Sequence, residues 1–198
     1  VDDNTAVLKM IEKLLHSSLI NFYSASTLQS ALKKIKDTTV KWHCWIIDLD
    51  LGMGYSGMSI FELYNSFPYK IVLSGLKKMD LSFKITKMGA LGVYDKSPEN
   101  MTNDYFINNV YRTAALAFLL KGKNSGNLKI FLHLTEKIIT SPVEWAEHTH
   151  IGLRYLEKIC KFHTGIAPRY VIPFYYFICC MLYCNLENGH EIKNYNLW

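Results

Sequence analysis

Cysteine is scarce and unpaired: the five residues Cys44, Cys160, Cys179, Cys180 and Cys184 form no C-x-x-C pair, which argues against a disulfide framework or a zinc site. A reducing cytoplasm is the expected compartment. No N-terminal stretch has the charged-then-apolar build of a signal peptide. The longest uncharged apolar run, Tyr170 to Cys184, falls short of the ~20 residues a membrane-spanning helix needs and is interrupted by Pro173, so no membrane association is expected. There is also no internal repeat and no low-complexity tract. What remains is an ordinary globular composition, 49% hydrophobic and 20% charged over 198 residues, with room for two small domains.

Charge is spread unevenly. Residues 1–111 hold 12 basic and 11 acidic side chains, whereas 112–198 hold 10 and 6, a net +1 against +4. The basic tilt suits a second domain that meets polyanions, though it is mild.

Apolar periodicity divides the chain in two. In the first part, Ala6 to His16, Thr27 to Ile35, Met58 to Asn65, Leu81 to Met88 and Asn103 to Leu120 repeat at helical spacing. Between them, Leu19 to Ser24, Trp42 to Asp48, Tyr69 to Ser74 and Leu91 to Tyr94 are short runs of bulky residues, as strands of a buried parallel sheet are. Alternating strands and helices imply βα units with a sheet covered on both faces. The polar stretch 121–127 reads as a linker, and beyond it Leu128 to Ile139, Pro142 to His148, Leu153 to His163 and Arg169 to Tyr183 all read as helices.

In a doubly wound sheet, functional side chains gather where loops leave the carboxyl ends of the strands. Asp2 and Asp3 end the first strand and Asp48 the third, so three carboxylates converge; such a cluster repels itself unless it holds a cation, and oxygen-only ligands favour Mg²⁺. Ser74 ends the next strand with a hydroxyl and Lys96 the last with an ammonium. A nucleophilic carboxylate, a metal, a hydroxyl donor and a cationic clamp are the parts that phosphoryl transfer to an aspartate requires.

The fragments Val1-Asp-Asp-Asn4, Ile46-Ile-Asp-Leu-Asp-Leu51, Val72-Leu-Ser-Gly75 and Gly89-Ala-Leu-Gly-Val-Tyr-Asp-Lys96 resemble, in order and spacing, the receiver domain of two-component response regulators over residues 1–120. The resemblance implies an α/β, flavodoxin-like doubly wound sheet with Asp48 as phosphoacceptor, a histidine kinase as phosphodonor, and Ser74 and Lys96 beside the phosphoryl group. It further implies Mg²⁺ on Asp3, Asp48 and the Asp50 backbone carbonyl, with Asp2 acting largely through water, in a signalling protein rather than an enzyme. Four features depart from the family pattern. Gly52 stands where proline is usual. Gly57 lies one residue further from Asp48 than usual, so the loop is expected to carry an insertion. The aromatic switch position is Val93, with Tyr94 displaced by one, and Ser97 separates Lys96 from Pro98. Most of the first strand is expected to lie before Val1.

In residues 128–198, Pro142-Val-Glu-Trp-Ala146 followed by Ile151-Gly-Leu-Arg-Tyr-Leu156 places a small residue, Ala146, where two helices must approach closely, and starts the second helix at Gly152. The run from Leu153 to Tyr170 resembles the helix-turn-helix of AraC-type transcription factors, with Arg154, Leu156, Lys161, Thr164-Gly165 and Pro168 on marked positions. That resemblance implies DNA as a partner, contacted through Arg154, Lys158 and Lys161. Two alternatives stand beside it: a helical half that binds a protein and no DNA, and a receiver that serves as a dimerisation scaffold indifferent to phosphate. The segment Val171 to Tyr183 carries no charge on any face, so a covering surface is expected, with the partner chain of a homodimer as its source.

Overall fold

Helix boundaries fall where the sequence supplies caps. In the computed structural model, which describes residues 1–15, 19–52, 54–75, 79–101, 104–121 and 126–183, Asn4 accepts the Ala6 and Val7 N–H groups to start α1 (Thr5–Leu14). Thr27 and Ser30 form a reciprocal capping box at α2 (Leu28–Ile35). Strand β1 (Trp45–Ile47), helix α3 (Met58–Leu63), strand β2 (Lys70–Ser74), helix α4 (Met79–Lys87) and strand β3 (Ala90–Asp95) follow, and then helices α5 (Pro98–Met101) and α6 (Asp104–Leu119). The second half holds α7 (Leu128–Glu136), α8 (Pro142–His148), α9 (Leu153–Thr164) and α10 (Pro168–Tyr183). Ser141 caps α8 with Pro142 in its first turn, and α9 stops at Gly165, whose φ of +82° suits a residue without Cβ.

The three strands are parallel in the order β1-β2-β3. Residues 1–3 extend the sheet beyond β1: the Val1 N–H donates to the Ile46 carbonyl at 2.6 Å, the Asp48 N–H to the Val1 carbonyl at 2.9 Å, and the Asp2 N–H to the Ala25 carbonyl at 3.0 Å. The run Leu19 to Ser24, expected to be a strand, is not one. The Val1–Asp3 segment beside it supplies a single hydrogen bond, at Ala25, and no ladder forms from one rung.

Pleat alternation sends side chains to two apolar layers. Ile47, Val72 and Val93 face Ala31, Ile60, Phe61 and Ile85 from α2, α3 and α4. Ile46, Ile71, Leu73 and Tyr94 face Ile11 of α1 and Phe106, Val110 and Tyr111 of α6. The sheet is therefore covered on both sides, the architecture anticipated from the βα alternation.

A third core closes the helical half. Trp145 of α8 is fully buried, donates its indole N–H to the Ile130 carbonyl at 2.9 Å and meets Phe131 edge-on. Around it lie Leu134, Leu156, Ile159, Val171, Ile172 and Tyr175, together with Ala115, Leu116 and Leu119 from the end of α6. Helix α6 thus contributes its first half to the sheet and its second half to the helical core. The stretch expected to be a linker, 121–127, lies largely outside the described residues.

Helix α10 obtains its cover in a different way from that expected. Val171, Ile172, Tyr175 and Cys179 are buried within the same chain, packed along α6, and the Tyr175 hydroxyl donates to the Arg112 carbonyl at 3.3 Å. One face stays open, with Tyr170 59%, Phe174 41% and Phe177 58% exposed. Among the described residues no single helix is long and apolar enough to cross a membrane.

Candidate functional site

The strand ends bring together the residues singled out by pattern. The backbone bonds on both sides of Val1 and Asp2 hold Asp2 with 2% exposure, and β1 delivers Asp48 with the same exposure. Asp3, the next residue, is exposed. One oxygen from each of Asp2, Asp3 and Asp48 lies within 4.8 Å of the others. Lys96, just beyond β3, places its Nζ 2.5 Å from Asp48 Oδ2 and 2.7 Å from Asp2 Oδ2. The remaining oxygens find backbone donors: Asp2 Oδ1 accepts the Asn4 N–H at 3.0 Å, and Asp48 Oδ1 accepts the Asp50 N–H at 3.2 Å.

Electrostatics follow from this crowding. Burial pushes the Asp48 carboxyl above the ordinary carboxylate range, against the pull of Lys96 in the other direction. Burial also pulls Lys96 down, but its hydrogen bonds to Asp2 and Asp48 outweigh that and hold the ammonium above its usual value. Three carboxylates against one ammonium leave the site anionic. An all-oxygen donor set of this kind fits a hard divalent cation such as Mg²⁺ or Ca²⁺, and Asp2, Asp3 and Asp48 are the residues that would hold it.

The loop after Asp48 is built to stay out of the way. Gly57 packs so closely that a Cβ would sit 1.8 Å from the Asp48 carbonyl oxygen. The flanks of this loop meet: the Leu51 N–H donates to the Tyr55 carbonyl, the Tyr55 N–H to the Gly52 carbonyl, and Asp50 bridges Ser56 in antiparallel fashion. Gly52 adopts φ +68°, and a Cβ there would lie 2.8 Å from Asp3 Oδ2. The Asp50 side chain is exposed and accepts the Gly52 N–H at 3.1 Å.

Ser74 is buried at the end of β2, and its carbonyl accepts the Lys96 N–H at 3.2 Å, so the hydroxyl-bearing and ammonium-bearing residues are neighbours. Val93 lies on the α2–α4 side of the sheet. Tyr94 lies on the other, edge-on to Phe106, with its hydroxyl accepting from Asn109 Nδ2. Val93 and Tyr94 thus face opposite layers of the sheet.

Arg154, Lys158 and Lys161 do not join this site. They are exposed on α9, whose opposite face buries Leu156, Ile159 and Cys160. The sequence reading missed Asn4 and Ser56, which brace the site: Asn4 through Asp2, and Ser56 by donating its hydroxyl to the Leu49 carbonyl at 3.0 Å. The available signal was a polar residue shortly after a strand-end acid, one position beyond Asp3 for Asn4 and eight beyond Asp48 for Ser56.

No protein-family model and no curated protein matches the sequence. Two solved structures resemble the chain. One is the signal receiver domain of a protein described as a Luxo repressor from Vibrio parahaemolyticus, 20% identical, with a TM-score of 0.51 over 60% of this chain and 88% of that one. The other is a response regulator protein from Burkholderia pseudomallei with a phosphorylated aspartic acid, calcium ion and citrate, 19% identical, with a TM-score of 0.46 over 79% of this chain and 94% of that one. With the parallel sheet, its two covered faces and the strand-end placement of Asp2, Asp48 and Lys96, the first of these likenesses establishes that the chain contains the fold of a signal receiver domain.

Proposed function

We propose that the chain is a response regulator of a two-component system, a phosphoacceptor rather than an enzyme, in which Asp48 takes a phosphoryl group from a partner histidine kinase. The observation that carries this reading is Lys96 bridging Asp48 and Asp2 with Asp3 alongside. An Asp48 oxygen attacks phosphorus, the bond from phosphorus to the donor's imidazole nitrogen breaks, and the imidazole leaves with that electron pair. Lys96 is placed to follow the charge from the Asp48 carboxylate onto the phosphoryl oxygens. Ser74 supplies a hydroxyl next to it. Asp2, Asp3 and Asp48, with the Asp50 carbonyl, would hold Mg²⁺, which would supply positive charge to neutralise phosphoryl oxygens. The test is incubation with a small phosphodonor and Mg²⁺ followed by mass mapping: a label on Asp48, lost in Asp48→Asn, is expected, and a label appearing equally on Asp50 would sink the assignment.

For the output, the exposed Arg154, Lys158 and Lys161 opposite a buried face support an AraC-like helix-turn-helix that binds DNA. Alanine at Arg154 is expected to cost on the order of 1–3 kcal/mol and relax sequence preference, whereas losing one phosphate-contacting lysine flattens the salt slope by about one. Unchanged binding in the triple alanine variant favours the protein-interaction output instead. The open face of α10 supports a homodimer, tested by the solution mass of a Phe174→Glu, Phe177→Glu variant.

A further inference from the structure

Helix α9 carries two kinds of side chain on its open surface. Its covered side is Leu156, Ile159 and Cys160. At about 100° per residue, Arg154, Lys158 and Lys161 share an arc of roughly 60° on the opposite side. Tyr155 and Phe162 fall together on one flank of that basic crest, and Glu157 falls on the other flank. Both rings are open to solvent: Tyr155 is 52% exposed, and Phe162, at 83%, is the most exposed large apolar side chain among the described residues. Among those residues the three cations form no ion pair, so their charge is available to a ligand.

One exposed ring is ordinary on a protein surface. Two rings in line beside three cations form a recognition surface, and the geometry selects its ligand. The rings stand seven residues apart, about 10.5 Å along the helix axis. In a duplex the faces of the bases are covered by their neighbours, so the rings would reach only base edges and the thymine methyl. At a membrane surface the apolar side chains must lie deepest, whereas here the cations hold the outermost line and the rings stand to one side of it. A single strand offers both halves of the match along one path: phosphates for the crest and open base faces for the flank.

We propose that this face of α9 binds single-stranded nucleic acid, with phosphates along Arg154, Lys158 and Lys161 and two bases stacked on Tyr155 and Phe162. Such binding tolerates many sequences, because every base has a flat face. The inference shares the three cations with the helix-turn-helix reading above and adds the two rings, so either can fail without the other.

The experiment measures binding of the full chain, at matched salt, to thymidine and uridine oligonucleotides of about fifteen nucleotides. An abasic sugar-phosphate oligomer of the same length and a mixed-sequence duplex are measured beside them. The thymidine strand is expected to bind about tenfold or more tightly than the abasic one. The Tyr155→Ala, Phe162→Ala double variant is expected to lose that margin while binding the abasic oligomer as the parent does and the duplex within about twofold. Removing all three cations is expected to weaken every ligand and to flatten the single-strand salt slope by about two. Because the two rings are exposed, the thermal midpoint of the double variant should match the parent's. The tighter of the thymidine and uridine strands distinguishes DNA from RNA as the source. Equal affinity for thymidine and abasic strands overturns the proposal, as does a double variant that weakens all four ligands alike. Duplex binding without single-strand binding overturns it and leaves the helix-turn-helix reading standing; single-strand binding without duplex binding supports it and removes that reading.

Discussion

Lys96 Nζ lies 2.5 Å from Asp48 Oδ2 while also contacting Asp2 Oδ2 at 2.7 Å, so one ammonium serves two buried carboxylates and leaves Asp3 to solvent. The arrangement is under-neutralised, and a divalent cation is the natural complement. Adding Mg²⁺ is therefore expected to raise the thermal midpoint with concentration, because a ligand held only by the folded state stabilises it by mass action. Asp48→Asn is expected to flatten that response. Scanning calorimetry across Mg²⁺ concentrations checks it, and an undiminished response in the variant would place the cation elsewhere.

The same pair predicts a pH dependence. Burial raises the folded-state pKa of Asp48, so in acid the folded chain binds this proton more readily than the unfolded chain does. Asp48 thus makes stability fall as pH rises through its folded pKa and favours the fold below it. Asp48→Asn should remove that component, visible as a changed slope in urea midpoints between the usual carboxylate range and neutrality.

Gly57→Ala is expected to destabilise the fold by about 1–3 kcal/mol and to impair phosphorylation of Asp48. The reason is steric: the new Cβ would meet the Asp48 carbonyl at 1.8 Å and Ile47 Cγ2 at 2.8 Å. Gly75→Ala, where a Cβ meets nothing within 4 Å, is the control and should stay within about 0.5 kcal/mol of the parent. Comparable losses in both variants in urea titrations would contradict the contact argument.

Lys70 is fully buried in β2, donates to the Tyr64 carbonyl at 2.9 Å and sits 4.8 Å from the Phe61 ring centroid; burial lowers its pKa to about 8. Below pH 8 both folded and unfolded chains carry this proton, and the burial penalty is fully felt. Between about 8 and 10.5 the unfolded chain holds the proton more tightly, so stability rises with pH, by up to roughly 3 kcal/mol in total. Lys70→Met should abolish that rise and be the more stable protein at pH 7. A parallel pH profile for the two would show that Lys70 is solvated.

Tyr94→Phe removes the hydrogen bond from Asn109 and is expected to cost about 1 kcal/mol while leaving the rate of Asp48 phosphorylation unchanged, because the ring lies on the far side of the sheet from Val93. A large change in that rate would reveal coupling between the ring and the site.

Much of this was legible in residue order alone. Trp45–Ile47 and Lys70–Ser74 are runs of bulky residues because both faces of a parallel strand are buried, and the helices show their 3.6-residue repeat because one stripe of each is covered. An acid or lysine directly after such a run must lie at the sheet's carboxyl edge, which is why Asp48 and Lys96 were found before their contact was seen. What lay beyond the sequence was anything that depends on which distant segment arrives. Tyr94 follows Val93 by one residue, and pleat parity against β2 sends them to opposite layers. Leu19 to Ser24 has strand composition but makes one rung, because a strand exists only through its neighbour. Lys70 reads as a charge at a strand start, yet α3 folds over it. The uncharged α10 demanded cover, and only the packing of α6 across two cores decided that most of it comes from the chain itself: local sequence determines which elements form, whereas long-range contact determines what each of their faces touches.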